Sequence, residues 1–313
     1  MPDPLVVAIL GPTASGKSAL GLALAERFDG EVINCDSTAV YRGFNIGTDK
    51  VSVDERRGIP HHLIDIAEPT EVYTAAQFAI DAARVIREIQ ARGRLPIIVG
   101  GTGLYYRALT RGLFPGPPAN EALRARLEAI AGRHGLPFLH RMVRRVDVPS
   151  AERILPGDLK RMVRALEVYF LSGVPLTQHF ADTVSPIAGM AVLAIGLRIP
   201  SVLTSERTAR RVGVQFERGL LDEIRGLLAA GVPETARPFG GLVYRQAMEF
   251  LHGVRDEAAT RELIARENRH YAKRQATWFR KEPDLEWFEG PGESPATIAA
   301  VGQLVADRLG TAG

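Results

Sequence analysis

The sequence predicts an α/β protein whose core is a parallel β-sheet, with a helical domain inserted into that core. Two observations support this fold class. Up to residue 99, short apolar runs alternate with helical stretches, which is the pattern of a parallel sheet covered by helices. After residue 114 a proline-rich break is followed by helices, and a strand pattern returns near residue 191.

The first part of the predicted core contains three strands with helices between them. Each strand is a short apolar run, and each helix is a longer stretch of helix-forming residues. The strands are expected at residues 6–10, 31–35 and 95–99, and the helices at 18–28 and 74–92.

The predicted helical domain covers residues 114–180, between the core segments 1–113 and 181–313. Three prolines in Phe114-Pro-Gly-Pro-Pro break the alternation, and helices are expected at 121–133 and 158–172, with Gly173 as a stop signal. The core resumes with a strand at 191–197 and helices at about 201–230 and 256–280. The helical block is therefore predicted to be an insertion.

Composition limits the classes of function. The chain has 313 residues and one cysteine, Cys35, so it forms no intrachain disulfide, and no Cys/His cluster has zinc-ligand spacing. The N-terminal segment resembles neither a signal peptide nor a membrane span, and a cytoplasmic protein is expected. Net charge is +3, but residues 114–180 carry ten Lys/Arg against six Asp/Glu and residues 255–281 eight against four. Such segregation is typical of a polyanion partner, although solvated helix faces produce it too.

The first motif that carries chemistry is a phosphate-binding loop. Gly11-Pro-Thr-Ala-Ser-Gly16-Lys17-Ser18 matches G-x-x-x-x-G-K-[ST] and lies between a predicted strand and a predicted helix. Backbone N–H groups and Lys17 would bind phosphate oxygens, and Ser18 would be the Mg²⁺ ligand. The predicted phosphate contacts are Gly11, Pro12, Thr13, Ala14, Ser15, Gly16, Lys17 and Ser18. The core is thus P-loop NTPase-like.

The P-loop alone does not define the reaction, so the other strand ends have to be considered. The strand at 95–99 ends in Gly100-Gly-Thr-Gly103 and supplies no Walker-B aspartate. An aspartate, Asp36, instead follows the second strand, where ligands gather in parallel sheets. Its residue type leaves two roles open, a Mg²⁺ or capping ligand and a general base.

Further motifs extend the pattern over roughly residues 7–280. In chain order they are Asp36-Ser-Thr-Ala-Val-Tyr-Arg-Gly-Phe-Asn-Ile-Gly-Thr-Asp-Lys50, His61-His-Leu-Ile-Asp-Ile, Gly100-Gly-Thr-Gly-Leu-Tyr-Tyr106, Arg161-Met-Val-Arg-Ala-Leu-Glu-Val168, Tyr244-Arg-Gln246 and Ala272-Lys-Arg-Gln-Ala-Thr-Trp-Phe-Arg280. This series resembles the tRNA dimethylallyltransferase family of bacterial type. The resemblance implies dimethylallyl pyrophosphate as donor, Mg²⁺ as cofactor, and the 6-amino group of adenosine 37 in the tRNA anticodon stem-loop as acceptor. It also implies a monomer without an obligate protein partner.

The resemblance assigns roles to residues of this chain. Asp36 matches the general base, Thr13 a P-loop threonine near the pyrophosphate, Thr102 a threonine near the acceptor base and Arg211 an arginine at the pyrophosphate, although Arg207 and Arg210 are close by. The residues expected to contact tRNA are Ser37, Thr38, Ala39, Lys160, Arg161, Arg164, Tyr244, Arg245, Lys273, Arg274 and Arg280. One departure is visible, because Val243 stands where members usually have glycine.

Three other functions remain open at this point. A relative of the same fold could prenylate free adenine nucleotides, and a small-molecule kinase could bind ATP on the same loop. A nucleotide-dependent RNA-binding protein without chemistry would bind tRNA but would show no turnover. The basic insertion argues against the first alternative, and the absence of a Walker-B aspartate argues against the second.

Overall fold

The structure, a computed structural model, describes residues 4–114, 116–181 and 183–310. Residues 1–3 of the N-terminal segment, Pro115 of the predicted proline-rich break, and residues 182 and 311–313 lie outside the described part. The described chain divides into two compact units, one formed by residues up to Thr110 and from Ile187 onward, the other by Arg111–Pro186.

The first unit contains a six-stranded sheet among its described residues. The strands are β1 (Leu5–Leu10), β2 (Gly30–Asn34), β3 (His61–His62), β4 (Leu95–Gly100), β5 (Ala191–Arg198) and β6 (Leu285–Glu289). They lie in the order β3-β2-β4-β1-β5-β6, and every pair is parallel. This confirms the predicted α/β class with a P-loop-type parallel sheet.

Helices connect these strands. They are α1 (Lys17–Arg27), α2 (Ala75–Ala91) and α3 (Gly103–Arg111) in the first part of the chain. Thr74 caps α2, since its hydroxyl accepts a hydrogen bond from the Gln77 amide at 3.1 Å. Apolar side chains of β1, β4 and β5 pack with Leu20 and Leu24 of α1 to form the sheet core.

The second unit is helical in its described residues. It contains α4 (Glu121–His134), α5 (Leu136–Val146), α6 (Val148–Arg153), α7 (Leu159–Ser172) and α8 (Leu176–Ala181). Gly173 ends α7 with φ 72°, a conformation that glycine adopts without steric cost. Inside this unit the fully buried Glu167 carboxylate accepts hydrogen bonds from Arg124 and Arg164 and from the Asn120 amide, which fixes α4 against α7.

After β5 the chain forms α9 (Ser201–Glu217), α10 (Leu220–Ala229), α11 (Tyr244–Leu251), α12 (Glu257–Phe279) and α13 (Pro295–Gly310). The expected single helix at 201–230 is wrong, because Gly219 at φ 89° separates α9 from α10. Strand β6 and helix α13 were not predicted. None of the helices in the described part has the length and apolar character needed to cross a bilayer.

Candidate active site

The strand order brings three loops to one edge of the sheet. The P-loop follows β1, Asp36 follows β2, and the Gly-Gly-Thr turn follows β4. Strands β2, β4 and β1 are adjacent, so their carboxyl ends meet. A cavity of about 610 Å³ opens there, and Lys17, Asp36 and Arg211 are among its lining residues.

The P-loop has the conformation that its sequence predicts. Gly16 precedes α1 with φ 86°, and Ala14 also has a positive φ of 63°. A Cβ atom at Gly16 would lie 2.0 Å from a carboxylate oxygen of Glu293 and 2.7 Å from the Gly292 amide, so only glycine fits. The loop is therefore enclosed by a C-terminal segment that the motif itself does not include.

Lys17 lies under the same loop. Its Nζ donates a hydrogen bond of 2.6 Å to the Pro12 carbonyl. The pKa of Lys17 is lowered to about 7, first by burial and then by the positive charge of Arg211, while the negative charge of Asp36 opposes both effects. An anion bound in the cavity would restore the charged form of this amine.

The side chain of Asp36 is held by Thr38, two positions later in the chain. Its Oδ1 accepts hydrogen bonds from the Thr38 amide at 2.8 Å and from the Thr38 hydroxyl at 2.6 Å. Both bonds go to one oxygen of a carboxylate that lines the cavity. This arrangement orients the carboxylate and suits an acid–base group as well as a ligand.

Thr102 joins the loops after β2 and β4. Its hydroxyl accepts a hydrogen bond of 3.0 Å from the Ser37 amide and lies 3.4 Å from the Ser37 hydroxyl. Its own amide donates to the Cys35 carbonyl at 3.1 Å. Thr102 therefore connects two strand ends and does not simply close its own turn.

Gln275 of α12 fastens the P-loop to the Gly-Gly-Thr turn. Its side-chain oxygen accepts a hydrogen bond of 2.8 Å from the Thr13 amide, and its nitrogen donates one of 2.9 Å to the Gly101 carbonyl. The residue is buried. Sequence analysis assigned no role to this side chain, although it lies in the motif at 272–280.

Arg211 is the arginine that reaches the P-loop side chains. Its Nη1 donates to the Thr13 hydroxyl at 2.8 Å, and its Nε lies 3.1 Å from the Asp49 carboxylate. Arg207 instead donates to the Ala14 carbonyl at 3.2 Å and forms an ion pair with Glu293. Arg210 also lines the cavity and is exposed. Sequence analysis assigned no role to Asp49, although it lies in the motif at 36–50, or to Glu293, which lies in none of the motifs.

The cavity also has an apolar part. Apolar side chains and one aromatic ring line it together with the charged groups: Ala39, Ile64, Val99, Val214 and Tyr271. Charged groups beside apolar ones suit a ligand with an anionic end and a short hydrocarbon end.

The residues expected to contact tRNA fall into different environments. Ser37, Thr38 and Ala39 lie beside Asp36, and Ala39 is buried. The side chains of Lys160, Arg245, Lys273, Arg274 and Arg280 are exposed, as is that of Arg161. Arg164 binds the buried carboxylate of Glu167, so this arginine holds the helical unit together.

Tyr244 differs from the expectation. Its side chain is 2% exposed, and its hydroxyl accepts from the Gly47 amide at 3.0 Å and donates to Glu223 at 2.6 Å. This placement argues against direct contact of the tyrosine ring with RNA. The ring packs edge-on against Phe44 and supports the loop at 45–50.

Val243 has a backbone conformation that is more typical of glycine. Its φ is 76° and its ψ −59°, a conformation that strains a β-branched residue. The side chain is nevertheless buried in the core beside Phe239 and Tyr244. The residue before α11 thus has a positive φ, which glycine adopts easily, although the residue is valine.

Comparison with known proteins identifies the family. The family described as IPP transferase matches residues 39–282. A tRNA dimethylallyltransferase of Solibacter usitatus is 46% identical over 308 residues, covering 97% of this chain and 99% of the relative. One from Koribacter versatilis is 43% identical over 307 residues, covering 97% and 99%.

Solved structures agree. The full-length tRNA isopentenylpyrophosphate transferase of Bacillus halodurans matches with a TM-score of 0.73 at 36% identity, over 99% of this chain and 98% of that one. A eukaryotic dimethylallyltransferase acting on tRNA matches with a TM-score of 0.81 at 25% identity, over 98% and 80%. With the P-loop, Asp36 and the Gly-Gly-Thr turn facing one cavity, these matches lead to one conclusion: the chain belongs to the IPP transferase family, the family of the tRNA dimethylallyltransferases.

Proposed function

We propose that the protein transfers the dimethylallyl group of dimethylallyl pyrophosphate to the 6-amino group of adenosine 37 in tRNA, releasing pyrophosphate. The observation that carries this proposal is that the P-loop and the Asp36 carboxylate line one cavity. A phosphate-binding loop and a base on the same cavity suit a reaction in which pyrophosphate leaves and a nucleophile loses a proton.

The P-loop would bind the leaving group. As the allylic carbon–oxygen bond breaks, its electron pair leaves with pyrophosphate, and negative charge grows on the phosphate oxygens. The backbone N–H groups of the loop, Lys17 and Arg211 are positioned around the space where this charge would develop. The apolar part of the cavity would take the five-carbon group.

Asp36 would act on the acceptor. The adenine amine is a weak nucleophile because its lone pair is delocalised into the ring. Its nitrogen forms the new bond to the allylic carbon, and the proton it loses passes to the Asp36 carboxylate. The two hydrogen bonds from Thr38 keep that carboxylate in place, and Thr102 fixes the neighbouring Ser37.

Mg²⁺ fits the same site as a partner of the pyrophosphate. Ser18 is the second residue of α1. Its side chain is exposed and lines the same cavity as Asp36. Mg²⁺ usually keeps several waters and binds substrate phosphates, and the Ser18 hydroxyl would be a protein ligand here. When bound, the ion would neutralise charge on the leaving pyrophosphate.

Exposed basic side chains would hold the RNA. Lys273 of α12 and Arg280, the C-cap residue of that helix, are seven residues apart, which places them on one side of the helix, and both are exposed. Lys160 and Arg161 of α7 are exposed as well. We propose that these groups bind the phosphates of the anticodon stem-loop, so that adenosine 37 leaves its stack and enters the cavity. No obligate protein partner is required, and we propose that a monomer acts.

The test is transfer of radiolabelled dimethylallyl pyrophosphate to an unmodified anticodon stem-loop carrying adenosine 37, beside free AMP and an ATP-hydrolysis control. Label on the stem-loop alone is the expected result. Label on AMP would identify a nucleotide prenyltransferase, and ATP hydrolysis without transfer would identify a kinase-like enzyme.

Asp36→Ala tests the base within the same assay. We expect kcat to fall by about 10² to 10⁴-fold, the range of general-base contributions, while stem-loop affinity stays within a few-fold. Asp54→Ala is the matched control, since Asp54 is exposed and lies outside the cavity lining. Equal losses of affinity and rate would make Asp36 a structural residue.

A further inference from the structure

A second carboxylate lies in the cavity with no role in the proposal above. Asp49 belongs to the loop that follows Phe44, and its side chain is 28% exposed. Its Oδ2 lies 3.1 Å from Arg211 Nε and accepts a hydrogen bond of 3.1 Å from the Gln215 amide. Arg211 and Gln215 are four residues apart on α9, so Asp49 is bound by one face of that helix.

Asp49 and the P-loop residue Thr13 contact opposite edges of the Arg211 guanidinium. Arg211 uses Nε for Asp49 and Nη1 for the Thr13 hydroxyl. Among the hydrogen bonds between described residues, none uses Nη2. The guanidinium is planar and its donors have a fixed geometry, so two contacts at two edges determine where the third points.

The loop that carries Asp49 is itself strongly constrained. Asp49 has φ 50°, a left-handed conformation that aspartate tolerates, and its amide donates to the Ile46 carbonyl. Glu223 accepts hydrogen bonds of 2.9 Å from two amides of the loop, those of Asn45 and Ile46. Gln215 donates to the Ile46 and Gly47 carbonyls at 3.3 Å. The carboxylate is thus held in place before any ligand binds.

Charge alone does not explain a carboxylate at this position. A negative group beside the pyrophosphate opposes anion binding, and Asp36 already lies in the cavity. Lys17 and Arg211 carry like charges in the same cavity, and after burial the charge of Arg211 is the second cause of the lowered pKa of Lys17. Asp49 is the counter-charge that keeps Arg211 beside Lys17 despite this repulsion.

We propose that Asp49 is a positioning residue for the transfer reaction: its carboxylate holds the Arg211 guanidinium against the P-loop, in the orientation that contacts the leaving pyrophosphate. This inference rests on the proposed function. It assigns to Asp49 an effect on kcat through Arg211, and no contact with the substrate.

A double-mutant cycle tests the inference with the same transfer assay. Asp49→Asn is expected to lower kcat by about 10- to 100-fold, the cost of a misplaced group, and to change KM for the donor less than about threefold. In an Arg211→Ala background, the same substitution is expected to have less than about a twofold further effect. Asp54→Asn, the same change at an exposed residue outside the cavity lining, is the control and should match the wild type.

The pH dependence gives a second readout. The pKa of Asp49 is raised to about 6, because burial and the charge of Asp36 raise it by more than Arg211, Gln215 and Arg218 lower it. The carboxylate is charged above this pH and neutral below it, and asparagine imitates the neutral form. The ratio of wild-type to Asp49→Asn kcat is therefore expected to be large above pH 7 and to approach one below pH 5.

The outcomes distinguish a failure of the proposed function from a failure of the positioning role of Asp49. If the wild type transfers no label, the proposed function fails. If the wild type is active and the Asp49 and Arg211 effects multiply, or the ratio does not change with pH, the positioning role is overturned. A lowered melting temperature with a pH-independent loss of rate would show that Asp49 only supports the fold.

Discussion

Lys17 is a P-loop lysine whose surroundings disfavour its charge. Its pKa of about 7, lowered first by burial, means that near pH 8 most molecules without an anion have a neutral amine. In the unfolded chain the amine is protonated up to about 10.5, so between these values the unfolded state binds the extra proton. Stability from this group therefore rises as the pH rises from 7 to 10.

A bound anion should reverse this pKa shift. At pH 8 we expect the wild type to take up about one proton more per pyrophosphate than Lys17→Met. Calorimetric titrations in two buffers of different ionisation enthalpy measure the difference. Lys281→Met, a change at an exposed lysine outside the cavity lining, should behave as the wild type. No difference between wild type and Lys17→Met would mean that the amine is already charged.

Among individual residues, the sequence motifs predicted some members of the site and could not predict others. Gly16 and Lys17 are recognisable because the loop geometry requires their residue types at fixed spacing. Gln275 and Asp49 act through contacts between distant parts of the chain, and an amide or a carboxylate on its own has no distinguishing spacing. Tyr244 stands in a matching motif, yet its burial was not readable from that motif.

Helix α11 begins with a strained residue, and the strain can be measured. Val243 has a sparsely populated backbone conformation that costs a non-glycine residue roughly 1–3 kcal/mol, yet its buried side chain contributes about 1.5–3 kcal/mol. Val243→Gly loses the burial and relieves the strain, whereas Val243→Ala loses most of the burial and keeps the strain. We therefore expect Val243→Gly to be more stable than Val243→Ala by about 1 kcal/mol in urea unfolding.

The control for this comparison is the same pair of substitutions, to glycine and to alanine, at Val212, which is buried within α9. There, alanine should be more stable than glycine by about 1 kcal/mol, because glycine is unfavourable inside a helix. The same order at both positions would show that Val243 carries no backbone strain.

Element boundaries were predictable where capping signals are local. Asp158 and Gly173 delimit α7, since the Asp158 side chain accepts from the Arg161 amide and Gly173 has a left-handed backbone. The division between α9 and α10 at Gly219 was missed because one glycine inside a helical pattern is often tolerated. Strand β6 is an edge strand whose pairing with β5 depends on contacts across the chain.

In the molecule as a whole, a buried ion-pair cluster around Glu31 lies at the end of the sheet opposite to the cavity. Glu31 lies near the start of β2, and its side chain is 2% exposed. It binds Arg92, Arg94 and His62. Burial alone would raise the pKa of Glu31, but hydrogen bonds from these three residues lower it to about 2. Its stabilising contribution is thus complete above about pH 4.5 and is lost as the pH falls toward 2.

Glu31→Gln is expected to lower the free energy of unfolding by about 2–3 kcal/mol at pH 7, since it leaves the cationic partners without their buried acceptor. The difference from the wild type should narrow at pH 3, and prenyl transfer at pH 7 should be unchanged. Urea unfolding at both pH values measures this. Glu88→Gln, which removes an exposed pair with Arg84, should stay near the wild type. A difference that widens toward acid pH would contradict the assignment.

The hydrogen bonds of Gln275 also set the order in which the protein can mature on the ribosome. The P-loop is synthesised well before α12, and its hydrogen bond to Gln275 comes from a residue 262 positions after Thr13. Domains fold as their segments emerge, so the early strands can assemble while this tie is still missing. The finished cavity can therefore form only after Gln275 has been synthesised, and a nascent chain that ends before this residue lacks the link between the two loops.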